Sequence, residues 1–186
     1  MEDRAISNWY DVDCHLDVLC QKGIISSEMV KTMRESAKAF SDLISLKKIY
    51  IASDHAGYSL KNFIFEKLKT KFDIMDLGTN KKSVSVNYPT YAHKLSKMVS
   101  KKKSNVGILI CGSGLGMSMA ANRHKKIRAA LCYSIKNAKL SRLHNDANVI
   151  TLGERLTNKS LAMKCVNTFL KTDFEGGRHL KRVKRI

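Results

Sequence analysis

The chain has 186 residues, 44% of them hydrophobic and 27% charged, which supplies one sizeable core and excludes a disordered chain or a miniature disulfide scaffold. No run of about eighteen apolar residues occurs, and the opening MEDRAISNWYDVD has neither the basic nor the apolar region of a secretory signal, so a soluble cytoplasmic protein with no membrane partner is expected. The net charge is +18, with five basic and eight acidic residues up to Leu46 and twenty-nine basic and eight acidic from Lys47 onward.

Residues 1–46 read as a short helical N-terminal extension whose role is open. In SSEMVKTMRESAKAFSDLI, Ser26 or Ser27 can cap a helix on which Met29, Val30, Met33, Ala37, Phe40 and Ile44 recur at three- and four-residue steps. Cys14, His15 and Cys20 suggest zinc, but their spacing has no matching second half, so core or surface side chains are the better reading. The five cysteines show no C-x-x-C pair and fit reduced thiols.

From Lys47 the pattern changes to short apolar runs, KKIYIAS, FDIMDLG, VGILICG, IRAALCY and NVITLG, separated by stretches of helical periodicity. Helices are predicted near Tyr58 to Lys71, Pro89 to Lys103, Gly114 to Arg123, Ile135 to Leu143 and Asn158 to Lys171. Five βα units with apolar strands predict an α/β fold on a five-stranded parallel sheet covered on both faces. Ligands of such sheets sit beyond the carboxyl ends of the strands.

At the first strand end, Asp54 and His55 offer an acid or base beside an anion ligand, although an Asp there also serves as a plain helix cap. The second unit leads to Asn87-Tyr88-Pro89, where the single proline fits a first helical turn and Tyr88 could line a pocket. The third strand ends in Cys111-Gly112-Ser113-Gly114-Leu115-Gly116. Its glycines let a bound anion approach the backbone amides closely, to hold a phosphate or a developing oxyanion. Neither a Walker loop nor a dinucleotide fingerprint is present, and Cys111 beside those amides is a candidate base or nucleophile. His144-Asn145-Asp146 precedes the fifth strand and Glu154-Arg155 follows it. In the closing EGGRHLKR, Arg178 and Arg182 share a helical face suited to phosphate, with a nucleic-acid tail as the competing reading. The remaining lysines are scattered and aromatics do not interleave with them, which favours a solvated face over a nucleic-acid partner.

The ordered segments SDHAGYSLK, DLGT, NYPTYA, ILICGSGLGMSMAANR, IRAALC, SRLHNDANV and EGGRHLKRV resemble the type B ribose-5-phosphate isomerase family, which includes galactose-6-phosphate and allose-6-phosphate isomerases. The likeness runs from about Lys48 to Val183, within an isomerase domain of residues 47–186 that includes a phosphate-binding tail. It implies a Rossmann-like three-layer αβα sandwich, no cofactor and no metal, and a homodimer or homotetramer with its sites at the subunit boundary. It also implies aldose–ketose isomerisation of a phosphorylated pentose, ribose 5-phosphate to ribulose 5-phosphate, in the pentose phosphate pathway, or the same chemistry on a hexose phosphate.

By this resemblance Cys111 takes the carbon-bound proton, and Gly112, Ser113, Gly114, Leu115 and Gly116 hold the enediolate, with Ser113 relaying a proton. His144 opens the sugar ring with Asp54 assisting, Asn145 bonds sugar oxygens, Tyr88 lines the pocket, and His55, Arg155, Arg178 and Arg182 bind the phosphate. Asn87 stands where relatives commonly carry Asp, and residues 1–46 have no counterpart in the family core.

Overall fold

The structure, a computed structural model, describes the backbone of residues 9–44 and 48–186 and the side chains of residues 15–36 and 48–186. The chain divides into two compact units, Met1–Leu46 and Lys47–Ile186. In the first, α1 (Trp9–Gln21) packs against α2 (Ser27–Ile44). Ser26 is the capping serine, its hydroxyl accepting from the Met29 amide at 3.1 Å. Val30 is buried and Arg34 pairs with Asp17 at 2.9 Å, whereas Met29 and Met33 of the same stripe are exposed. The side chains of Cys14, Ala37, Phe40 and Ile44 lie outside the described residues.

The second unit runs β1 (Ile49–Ser53), a 3-10 turn (His55–Gly57), α3 (Tyr58–Leu68), β2 (Ile74–Asp76), α4 (Tyr88–Val99), β3 (Val106–Cys111), α5 (Leu115–Ala121), β4 (Ala129–Leu131), α6 (Ile135–Asn145), β5 (Val149–Gly153), α7 (Lys159–Lys171) and α8 (Gly177–Val183). The sheet order is β2-β1-β3-β5-β4 and every pairing is parallel. Alternate residues of the central strands feed two cores. Ile49, Ile51, Ile108, Ile110, Ile150 and Leu152 meet α3 and α7 through Leu60, Ile64, Val166 and Phe169. Tyr50, Ala52, Leu109 and Val149 join Ala92 and Leu95 of α4 and Met117 of α5 on the other side. This is the three-layer α/β arrangement that the unbroken apolar strands predict.

Two of the five apolar runs yield less strand than expected. Each of β2 and β4 is three residues long, and neither is fully buried. Both are edge strands with a neighbour on one side only. Helices α3 and α4 also stop short of their lysine-rich ends, at Leu68 and Val99. Beyond β2, the Asp76-Leu77-Gly78-Thr79 turn is clamped by Lys61, a fully buried lysine that donates to the Asp76 carboxylate and, at 3.0 Å, to the Thr79 carbonyl.

The chain leaves β1 for β2 on one side and returns to place β3 on the other. The carboxyl ends of β1 and β3 therefore flank the point where strand order reverses, the place where such sheets form a crevice.

Candidate active site

One cleft of about 320 Å³ opens there, lined by Asp54 and His55 after β1, Cys111, Gly112 and Ser113 after β3, Arg155 and Leu156 after β5, and Tyr88 and Gly116. Asp54 is buried, and its Oδ1 accepts from the Gly57 amide at 3.0 Å, so this carboxylate caps the 3-10 turn and also faces the cleft. The Val86 amide donates to His55 Nδ1 at 3.1 Å. An occupied acceptor at Nδ1 leaves Nε2 to carry the proton of the neutral ring, a donor for an anion's oxygen.

Cys111 ends the central strand of the sheet, and the Gly114 amide donates to its Sγ at 3.1 Å, placed to hydrogen-bond a thiolate. Gly114 sits at φ +79°, and a Cβ there would also lie 2.6 Å from Leu131 Cδ1, so position 114 requires glycine. Ser113 Oγ accepts from the Leu115 amide at 3.3 Å. The neighbouring glycines let side chains lean over the turn. A Cβ on Gly112 would be 3.2 Å from the Arg155 guanidinium carbon, and one on Gly116 2.6 Å from Tyr88 Cζ. The cleft thus combines a thiol, a carboxylate, an imidazole and a guanidinium around a glycine-rich turn, which suits proton transfer on an anionic substrate.

Of the other expected site residues, Gly114 and Leu115 belong to the turn without lining the cleft, and His144, Asn145, Arg178 and Arg182 do not line it either. The last four lie at the end of α6 and on α8, where a second cluster forms. The His144 ring stacks on His179 at 4.2 Å between centroids and 5° between planes, and His144 Nε2 is 3.7 Å from Glu175 Oε2. Arg178 Nε donates to His179 Nε2 at 3.4 Å. His179 is buried, and burial, with His144 and Arg178 beside it, lowers its pKa below the ordinary 6.5. Ligand atoms of His144, Glu175 and His179 lie within 4.8 Å of one another. Parallel rings, however, direct their in-plane lone pairs side by side instead of converging, and the Arg178 guanidinium already donates to His179, an arrangement poorly shaped to share one metal ion.

The sequence alone assigns no role to His179, Glu154 or Leu156. His179 sits inside the basic tail already singled out, and its position one residue after Arg178 was the available signal. Cys132 and Cys165 are buried thiols, and burial pushes the Cys132 pKa up to about 12.

Residues 49–186 match the family described as Ribose/Galactose Isomerase. A probable ribose-5-phosphate isomerase B of Mycoplasma genitalium is 47% identical over 140 residues, 74% of this chain and 92% of that one. Ribose-5-phosphate isomerase B of Escherichia coli is 41% identical over 142 residues, 76% and 95% of the two chains. Among solved structures, ribose-5-phosphate isomerase B of Clostridium thermocellum superposes with a TM-score of 0.72 at 46% identity, covering 74% of this chain and 93% of that one. The Mycoplasma genitalium enzyme with bound ribulose-5-phosphate gives 0.72 at 46%, covering 74% and 92%. Fold, strand-end chemistry and a match across the whole sheet agree: the chain belongs to the Ribose/Galactose Isomerase family and is an isomerase.

Proposed function

We propose that the protein interconverts ribose 5-phosphate and ribulose 5-phosphate. The observation that carries this reading is Cys111, buried at the end of β3 with an amide on its sulfur and with Asp54, His55 and Arg155 in the same cleft. The ribulose-5-phosphate bound to the Mycoplasma genitalium relative favours the pentose over a hexose phosphate.

In the aldose-to-ketose direction Cys111 takes the proton from C2 and the electron pair moves to the carbonyl, giving an enediolate held by the amides of the 112–116 turn. Ser113 relays protons between the two oxygens, and C1 is reprotonated. All electrons stay within the substrate, so the reaction needs no redox cofactor. His55 and Arg155 bind the phosphate, and each charge-assisted contact is worth roughly 1.5–3 kcal/mol.

His144, Asn145, Arg178 and Arg182 complete the site from a neighbouring copy in a homodimer or homotetramer. The rim supports this, since Leu156, which lines the cleft, is about two-thirds exposed, an apolar side chain available to a neighbouring copy. From that copy His144 opens the sugar ring with Asp54, Asn145 bonds sugar hydroxyls, and the two arginines close on the phosphate. Residues 47–186 form the isomerase domain and residues 1–46 an added helical extension. Cys20, Cys111, Cys132 and Cys165 are free thiols, which supports a reducing, cytoplasmic setting. Among the described residues no helix is long and apolar enough to cross a membrane.

The test is a coupled assay on purified protein with ribose 5-phosphate, allose 6-phosphate and galactose 6-phosphate at matched concentrations. Preference for ribose 5-phosphate is expected. Preference for a hexose phosphate would overturn the substrate, and no turnover of any would overturn the activity.

A further inference from the structure

Helix α3 begins on the residue after Gly57, and Gly57 as N-cap offers no side chain to the amides of the first turn. Glycine is imposed there by packing, since a Cβ would lie 2.6 Å from the Ile110 carbonyl oxygen of β3. The amides of a first helical turn have no partner within the helix. One of them, on Leu60, is taken by a residue 94 positions later: Glu154 Oε2 accepts from Leu60 N at 2.9 Å. The carboxylate also sits at the positive end of the α3 dipole.

Glu154 is tied to the cleft from its other side as well. Its own amide donates to the Cys111 carbonyl at 2.9 Å, and the next amide, of Arg155, donates to the Gly112 carbonyl at 3.0 Å. One residue therefore spans the three strand ends that build the cleft: the turn holding Asp54 and His55, the turn after Cys111, and the segment presenting Arg155.

We propose that Glu154 is a positioning residue for the substrate's phosphate. It stands in for the missing cap of α3 and thereby fixes His55, on the β1 side, relative to Arg155, on the β5 side. Both groups approach the phosphate from loops that no other described side-chain hydrogen bond links to each other, so the Glu154–Leu60 bond sets the span between them. The proposal rests on the assignment of His55 and Arg155 to the phosphate made above.

The experiment compares the full-length wild type with Glu154→Ala and Glu154→Gln at a temperature well below unfolding. The readouts are inorganic phosphate affinity, followed by amide NMR shifts of Gly112 and Ser113, and kcat and KM for ribose 5-phosphate. Glu154→Ala should weaken phosphate binding and raise KM about tenfold, the scale of one charge-assisted hydrogen bond, with little change in kcat. Glu154→Gln keeps the acceptor and should recover most of the affinity. Unchanged phosphate affinity in Glu154→Ala, or equal losses in both variants, would overturn the positioning role, even if Glu154→Ala melts earlier. A wild type that turns over ribose 5-phosphate beside such a result isolates the failure to Glu154; a wild type that neither binds phosphate nor turns over sinks the site assignment and the proposal together.

Discussion

Two glycine-to-alanine substitutions at the cleft should have opposite consequences, because the atoms that a new methyl group meets differ in their ability to move. In Gly57→Ala the Cβ would stand 2.6 Å from the Ile110 carbonyl oxygen and 2.7 Å from its carbon, about 0.8 Å short of ordinary contact. Ile110 lies in β3, hydrogen-bonded to β1 on one side and β5 on the other, so its backbone cannot retreat. Overpacking against a fixed backbone costs about 1–3 kcal/mol, or roughly 3–10 °C in Tm for a domain of this size. In Gly116→Ala the three nearest atoms to the Cβ all belong to Tyr88, the closest at 2.6 Å, and Tyr88 is 40% exposed. The ring can swing outward, so stability should change by no more than about 0.5 kcal/mol, while the cleft loses a wall and KM for ribose 5-phosphate rises. Thermal unfolding followed by circular dichroism, with steady-state kinetics on the same samples, separates the two. A wild-type Tm for Gly57→Ala, or a larger Tm loss for Gly116→Ala than for Gly57→Ala, would refute the reasoning.

Cys111→Ala should fold normally, as judged by Tm, and leave isomerase activity near background; near-normal turnover would remove Cys111 as the base. Mixing Cys111→Ala with His144→Ala chains after denaturation and refolding should restore about one quarter of the wild-type rate if protomers pair at random, since half of the dimers are mixed and each carries one intact site; no recovery would place His144 in its own chain's reaction. His179 has a folded pKa held below 6.5 by burial, His144 and Arg178. The unfolded chain therefore takes up its proton first, and stability should fall as pH drops from about 6.5 toward the lower folded value. Glu175 opposes that shift and Arg182 adds to it, and His124, lowered by burial, His93 and Lys97, contributes with the same sign. In Tm scans across this range, His179→Asn should flatten the dependence without abolishing it. Removal of residues 1–46 should leave turnover intact, and a folded, assembled truncation without activity would contradict the division of the chain.

The sheet was legible because the central strands are buried on both faces and their residues show it: Ile108 to Cys111 carry no polar side chain, and the Cys-Gly-Ser-Gly run marks where that strand opens onto the cleft. The edges were less legible, because the apolar runs around β2 and β4 were written for one neighbour and the strands stop after three residues. Candidate residues at the ends of β1, β3 and β5 could be named since each follows an apolar run. Side chains that act across the sequence could not: the Glu154 bond to Leu60 spans 94 residues, and Lys61 looks like any surface lysine until Asp76 and Thr79 are folded over it. His144 and Arg178 carry the right chemistry in sequence, but their absence from this chain's cleft depends on where α6 and α8 lie.

The layout also separates reactivity from selectivity. Cys111 sits on the strand bordered by β1 and β5, its carbonyl and that of Gly112 engaged by Glu154 and Arg155, and its sulfur engaged by Gly114. A thiol held by so many backbone bonds keeps its position whatever the sugar, so if Cys111 is the base, as proposed, the proton-transfer geometry tolerates little variation. The groups that would measure the sugar's length, Tyr88 and Leu156, line the cleft with exposed side chains, Tyr88 lying over Gly116. Substitutions there can deepen or shorten the cleft without disturbing Cys111. A change of preference from a five-carbon to a six-carbon sugar phosphate on this fold should therefore come from rim positions such as Tyr88 and Leu156, expressed in KM, while exchanges at Cys111, Gly112 or Gly114 should depress kcat for every sugar alike.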